Sequence, residues 1–154
     1  MHPIFEIFTN FPLVCAAVAW FLAQLTKVII TFIINRDELT PSLVVSSGGM
    51  PSSHSATVCA LTTAIAKLEG FSSPLFAICF VLSFIVMYDA AGVRRSAGEQ
   101  AKTLNQIIEH LSNQKLFPID NTVREIFGHT PFQVLVGALF GIAVPFVVRL
   151  FFNI

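Results

Sequence analysis

The chain has 154 residues, enough for one domain, and its formal net charge at pH 7 is zero. That balance offers no basic surface for DNA or RNA, so no nucleic-acid partner is expected. Hydrophobic residues make up 55% of the chain and charged residues 12%, whereas soluble domains carry about 25% charge. The composition therefore predicts one membrane-embedded domain over residues 1–154.

Apolar segments in chain order predict an all-α membrane bundle of about four transmembrane helices. The first segment covers residues 11–34, and the fourth covers 131–152 with a kink expected at Pro145. Both reach the ~20 residues that a span requires. The second, 56–66, is short and rich in threonine, so it is expected to cross by packing against its neighbours. The third covers 74–91, where Pro74 suits the first turn of a helix.

A polar stretch between the third and fourth segments predicts an amphipathic juxtamembrane helix. Apolar residues recur there at helical spacing, and charged residues occupy the other faces. Thr122 and Glu125 have the spacing of a capping box, which predicts a short helix after it. The apolar positions are Ala97, Ala101, Leu104, Ile108 and Leu111.

The distribution of lysine and arginine predicts the orientation in the membrane. Four spans place residues 35–53 and 92–130 on one side, and both termini with the 70–73 turn on the other. Only Lys67 and Arg149 lie near the second side, so the positive-inside rule places the first side in the cytoplasm. The positive charges of the first side are Arg36, Arg94, Arg95, Lys102, Lys115 and Arg124.

The three cysteines, Cys15, Cys59 and Cys79, all lie inside apolar segments and form no CxxC pair. We interpret them as buried free thiols. The spacing of histidines and carboxylates matches no standard metal motif, so no metal or other cofactor is expected.

Two segments that contain histidine each begin a membrane helix on the predicted cytoplasmic face. Ser52 or Ser53 can cap the second span just before His54, and Thr130 can cap the fourth just after His129. A helix start offers unpaired N–H groups and a positive dipole end, so two of them together form an anion site. The simpler interpretation is that these residues only cap helices.

Charged side chains near the same face strengthen the prediction of an anion site. Lys27 lies deep in the first span, where a lysine is costly unless it reaches the interface or binds an anion. Arg94 and Arg95 follow the third span, although they can instead enforce topology or bind lipid head groups. Phosphate is the natural ligand of such a cluster. Two histidines beside it suggest phosphoryl transfer, in which one attacks phosphorus and the other protonates the leaving oxygen.

Residues 51–54, Pro-Ser-Ser-His, resemble the PSGH-type motif of the type 2 phosphatidic acid phosphatases, relatives of vanadium haloperoxidases. Residues 129–134, His-Thr-Pro-Phe-Gln-Val, with Gly137 after them, resemble the H-x-P-x-D-V-x-x-G motif of that superfamily. The runs at 48–54 and 88–95 are most similar to its divergent branch, a resemblance that covers nearly the whole chain.

The resemblance implies a role for each site residue. His129 would be the nucleophile and form a phosphohistidine, and His54 would be the general acid. Lys27, Ser52, the Ser53 backbone and one or two arginines would hold the phosphate.

The chain departs from that pattern at Gln133, where the superfamily has a carboxylate that orients the nucleophile. We expect Asp89 to supply this carboxylate to His129, with Gly92 breaking the helix so that the charged groups converge. Gln133 can instead complete a capping box with Thr130. The arginine that binds phosphate stays open among Arg94, Arg95 and Arg124.

The resulting prediction is a membrane phosphatase that acts on a phospholipid phosphate monoester such as phosphatidylglycerophosphate or phosphatidate. The alternatives are a non-catalytic anionic-lipid-binding protein and an isoprenoid pyrophosphate phosphatase. A homodimer is a further expectation, because four short spans give limited enclosure to a site.

Overall fold

The computed structural model describes residues 5–34, 49–113, 123 and 128–152, and the regular structure in these ranges is helical. The helices are α1 (Glu6–Thr9), α2 (Phe11–Ile34), α3 (Ser53–Glu69), α4 (Pro74–Tyr88), α5 (Arg94–Asn113) and α6 (Pro131–Phe152). Within the described ranges, α2, α6 and the continuous helix over 74–112 are long and apolar enough to cross a membrane. The all-α membrane fold is thus confirmed. The second predicted span forms α3, which has 17 residues and is shorter than these three helices.

The ends of α3 and the start of α4 follow from local capping. Ser52 is the N-cap of α3, and its side chain accepts a hydrogen bond from the Ser55 N–H. Gly70, at φ +82°, ends α3 in a conformation that other residues rarely adopt. Ser73 then caps α4 and Pro74 occupies its first turn, as the sequence predicts.

The third helix does not break at Gly92, and that expectation is wrong. Residues Asp89–Val93 form a π-helical turn that joins α4 directly to α5. In a π turn each N–H bonds five residues back, and here the Arg94 N–H donates to the Asp89 carbonyl. The extra residue in the turn aligns Arg94 with Asp89, which a regular α-helix would not do.

α3 is the central helix of the bundle and packs against α2, α4 and α6. Small residues allow the close approach, as is usual between membrane helices. A Cβ added at Gly137 or Gly141 of α6 would overlap the carbonyl oxygens of Ser52 and Ala56 in the α3 segment. The buried core on the α2 side consists of Phe11, Cys15, Ala19, Ala23, Ala56, Ala60, Ala64, Val144 and Val148.

Hydroxyl groups join α3 to α4 in the middle of the bundle. The oxygens Thr62 Oγ1 and Ser83 Oγ lie 2.7 Å apart, and Ser83 Oγ donates to the Val58 carbonyl at 3.0 Å. Such interhelical bonds stabilise helix association where water is absent. The three cysteines are free thiols, as predicted; Cys15 and Cys59 are buried, whereas Cys79 is only half-buried.

α5 is amphipathic, as predicted, and its contacts lie mainly with the π turn. Ala101 is buried on its apolar side. The Asn105 side chain donates to the Val123 carbonyl at 2.9 Å and accepts from the Val123 N–H at 2.8 Å. The capping box predicted at 122–125 lies outside the described residues, as do Arg36, Lys115 and Arg124.

Candidate functional site

The first turns of α3 and α6 are joined at one end of the bundle. Ser52 is fully buried, and its N–H donates to the Gln133 carbonyl at 3.2 Å. Its hydroxyl oxygen accepts from the Ser55 hydroxyl at 3.1 Å. Ser53 is also buried. The two predicted motifs therefore meet at the end of the bundle where α3 and α6 both begin.

His129 lies just before α6 and is held there by the π turn. Its backbone N–H donates to the Ala90 carbonyl at 3.1 Å. The side chain is only 1% exposed, yet neither Nδ1 nor Nε2 has a hydrogen-bond partner among the described residues. Buried polar atoms are rarely left unpaired, because each costs about 1–3 kcal/mol. An unpaired buried imidazole therefore indicates a position prepared for a ligand.

Lys27 of α2 completes the buried part of the site. Its side chain is 1% exposed, so it does not reach out to the interface. A Cβ at Gly49 would lie 3.2 Å from Lys27 Cγ and Cδ, which shows how closely the Gly49 backbone covers the lysine stem. The positive charge of Lys27 acts electrostatically on both His54 and His129.

The environment of His129 favours its neutral form. Burial lowers the pKa of His129 below its ordinary value, and the charges of Lys27 and His54 lower that pKa further. The Gln133 side chain and the Gly49 backbone, close by but outside hydrogen-bond geometry, act in the opposite direction. The neutral imidazole is the form that can act as a nucleophile.

His54 differs from His129 because its side chain is exposed. It is the second residue of α3 and lies within electrostatic range of Arg94, Lys27 and Asp89. The structure thus places one buried and one accessible histidine at the same end of the bundle, which fits a nucleophile inside and a proton donor at the opening.

Asp89 pairs with Arg94 and does not hydrogen-bond to His129. The Arg94 Nε donates to Asp89 Oδ2 at 2.6 Å, and both side chains are about 40% exposed. The expectation that Asp89 orients His129 is therefore not supported by these contacts. The physical reason is the π turn, which aligns the carboxylate with Arg94 and with the His54 side of the site.

Gln133 is occupied in the capping box that the sequence allows. The Thr130 N–H donates to Gln133 Oε1 at 3.0 Å, and the Gln133 N–H donates to Thr130 Oγ1 at 3.3 Å. The amide therefore stabilises the start of α6, and in the described structure it makes no hydrogen bond to the His129 ring.

The two arginines after the third span have different surroundings. Arg94 acts on His54, whereas the Arg95 guanidinium pairs with Glu99 at 3.1 Å on α5. Arg95 contributes to the site through its backbone, since a Cβ on Gly128 would overlap the Arg95 Cα. Sequence reasoning did not find the supporting positions Gly49 and Gly128. Within the described ranges, no group of three His, Cys, Asp or Glu residues is arranged to hold a metal ion.

The chain is similar to one protein family and to a bacterial membrane protein. The sequence model of a family described as the divergent PAP2 family matches residues 8–144. The chain is 43% identical to an uncharacterized membrane protein, YuiD, of Bacillus subtilis, over 96% of this chain and 99% of that protein. No solved structure gives a significant match.

Proposed function

The chain belongs to the divergent PAP2 family, and from that premise we propose that it hydrolyses a lipid phosphate monoester through a phosphohistidine intermediate. The observation that carries the proposal is the buried His129 ring, with both nitrogens unpaired in the described structure, within the field of Lys27. A phosphate would supply hydrogen-bond partners to the His129 ring and a negative charge close to Lys27.

Phosphate binding would combine backbone and side-chain groups. The N–H groups at the starts of α3 and α6 and their positive dipole ends favour an anion. Lys27 supplies a buried positive charge, and Arg94 supplies a second at the outer side, next to His54. Burial strengthens these attractions because little water screens them.

The first chemical step would form a bond between a His129 nitrogen and phosphorus while the bond from phosphorus to the lipid oxygen breaks. The leaving oxygen would take a proton from the His54 imidazolium, so the lipid departs as an alcohol. Burial, and then the charges of Arg94 and Lys27, lower the pKa of His54. Asp89 acts in the opposite direction and favours the protonated form that this step requires.

The second step would release inorganic phosphate. A water molecule would attack phosphorus and give its proton to the now neutral His54, and the bond between phosphorus and His129 would break. His129 would return to its neutral form and His54 to its protonated form, so both are ready for another lipid. No step in this scheme consumes a co-reactant other than water.

The substrate class follows from the position of the site at the end of membrane helices. A phospholipid can keep its chains among apolar helices while its head group enters the polar end, so phosphatidate and phosphatidylglycerophosphate are the proposed substrates. An isoprenoid pyrophosphate is the second choice. We place the site on the cytoplasmic side, because positive charge is concentrated there.

Phosphate release from a panel of lipid phosphates, measured with purified protein in chelator-containing buffer, tests the proposal. We expect release by the wild-type protein and a loss of about 10³-fold or more in His129→Ala, since the covalent path would be gone. His54→Ala should still free the aryl alcohol of an aryl phosphate in a first-turnover burst, because that leaving group needs little protonation. His110→Ala, on exposed α5, is the control. Unchanged release in His129→Ala would contradict the proposal.

A non-catalytic anionic-lipid-binding role is the second candidate. It is favoured by the capping role of Gln133, which leaves His129 without the carboxylate found in the wider superfamily. In that case the wild-type protein would bind lipid phosphates without releasing phosphate, and Lys27→Met would weaken the binding.

A further inference from the structure

An apolar groove lies in the wall of the bundle between α4 and α6, with α3 as its floor. Both outer helices pack on α3, and any contact between them is minor. The space between them has a volume of about 660 Å³, within the range of small-molecule sites. Because α4 is peripheral, with Ser83 its one buried residue, this groove faces the lipid.

One end of the groove lies toward the polar site. Cys59 and Met87 line it at that end, and their sulfur atoms are 3.8 Å apart. Met87 precedes Asp89 by two residues, and Cys59 lies five residues after His54, about 7.5 Å along α3. A lipid with its head at the histidines is therefore long enough to extend into the groove.

Aromatic side chains form the remaining wall and the far end. Phe76 and Phe80 line the α4 side, and from Phe76 to Met87 the groove follows the helix for about 16 Å. Phe146 of α6 closes the far end, where the Lys67 Nζ lies 3.9 Å from the centre of its ring.

Two hydroxyls in the middle of the groove are engaged within the protein. Thr62 and Ser83 bond to each other and to backbone carbonyls. With these hydroxyls satisfied and a lining that is mostly apolar, the groove offers an incoming molecule mainly apolar contact, so it suits a hydrocarbon chain better than a polar ligand.

We propose that this groove binds one hydrocarbon chain of the lipid whose phosphate occupies the histidine site. The inference rests on the proposed site of the head group but not on turnover. It commits the substrate to the class of lipids with at least one long chain. It also predicts that Phe146 and Lys67 set the chain length that fits.

Photo-crosslinking in vesicles tests the inference without requiring catalysis. The probe is a phosphatidate with a diazirine near the end of one acyl chain, and the matching diacylglycerol is its headless control. We expect phosphatidate adducts to concentrate on peptides that contain Phe76, Phe80 or Phe146, and the diacylglycerol to label all lipid-facing helix surfaces evenly. Even labelling by both probes would overturn the proposal.

Blocking variants give the test a matched control. Ala138→Trp fills the groove from α6, whereas Ala143→Trp adds the same side chain at an exposed position of the same helix outside the groove lining. Groove labelling should fall about tenfold or more in Ala138→Trp, since losing contact with as few as two methylene groups has that effect. It should stay unchanged in Ala143→Trp.

A second blocking variant keeps the test valid if Ala138→Trp does not fold. Ala66→Trp fills the groove from α3 and should lower groove labelling as Ala138→Trp does. Equal labelling of the blocked and control variants would contradict the proposal.

Phosphate release separates the groove proposal from the proposed hydrolysis. Groove labelling without any release would refute the proposed hydrolysis alone, and release without groove labelling would refute the inference alone.

Discussion

At the residue scale, the two arginines beside the π turn provide a matched pair. Arg94 acts on His54 and pairs with Asp89, while the Arg95 side chain pairs with Glu99 away from the histidines. The pairs are too exposed for either to contribute much to stability. Their difference should therefore appear in substrate binding.

We predict that Arg94→Ala raises the KM for a lipid phosphate by about 10- to 100-fold, because one hydrogen bond between charged groups is lost. Arg95→Ala should change KM by less than about threefold, since its guanidinium is an exposed surface partner. Steady-state phosphate release measures both. Equal effects of the two substitutions would contradict the assignment of Arg94 to the site.

The lowered pKa of His129 has a consequence for the pH dependence of activity. The proposed nucleophile is the neutral imidazole, which is present above the pKa and lost as pH falls through it. Because burial and Lys27 lower that pKa, the acid limb of kcat/KM should lie below pH ~6.5, the ordinary histidine value.

Gln133→Glu should move that acid limb to higher pH by about one unit or more, because a nearby carboxylate favours the charged imidazolium. Glutamate also serves in the capping box, so the start of α6 is preserved. Gln106→Glu, exposed on α5, is the control and should leave the limb in place. A pH profile of kcat/KM that is identical in all three proteins would refute the proximity of residue 133 to the nucleophile.

At the element scale, the contact between α3 and α6 determines whether the two motifs meet. Gly141 has no room for a Cβ because the Ala56 carbonyl lies against it, while Gly92 in the π turn has no atom within 4 Å of such a Cβ. The two glycines thus differ in packing, although both lie in helical structure.

Gly141→Ala should lower the free energy of unfolding by about 1–3 kcal/mol, the usual effect of overpacking. Gly92→Ala should leave it unchanged or raise it by up to about 1 kcal/mol, because alanine favours helix. Thermal unfolding in detergent, followed by circular dichroism, gives the comparison. A larger loss for Gly92→Ala than for Gly141→Ala would show that the helices do not approach as described.

Elements with strong local signals were predictable from the sequence, and those that depend on distant contacts were not. The bounds of α2 and α6 coincide with the predicted segments because apolar runs and the Thr130 cap fix them. The π turn has no sequence signature, so the pairing of Asp89 with Arg94 could not be foreseen. The Gly49 backbone packs over the Lys27 side chain. Because these residues are distant in sequence, local sequence patterns do not predict this contact.

At the scale of the whole molecule, the site lies at one end of the bundle and the 70–73 turn at the other. The distribution of positive charge predicts that the site end faces the cytoplasm. Gln100 on α5 and Ser72 in the turn are both exposed, so cysteines at these positions report the two sides.

In a variant without the native cysteines, we predict that a membrane-impermeant maleimide labels Ser72→Cys in intact cells. Gln100→Cys should be labelled only after the membrane is permeabilised. Mass-shift gels measure the labelled fraction. The reverse pattern would contradict the orientation while leaving the chemistry of the site intact.

The central claim is that His129 carries the phosphoryl group during turnover. The most direct test mixes His54→Ala protein with an aryl phosphate, quenches the reaction and searches its peptides for phosphate by mass spectrometry. Attack on phosphorus needs little acid catalysis with this leaving group, so the phosphohistidine still forms. Its hydrolysis lacks His54 as the base that activates water, so the phosphohistidine should accumulate at residue 129. Release of phosphate with no adduct at His129, or with an adduct at another residue, would contradict the account.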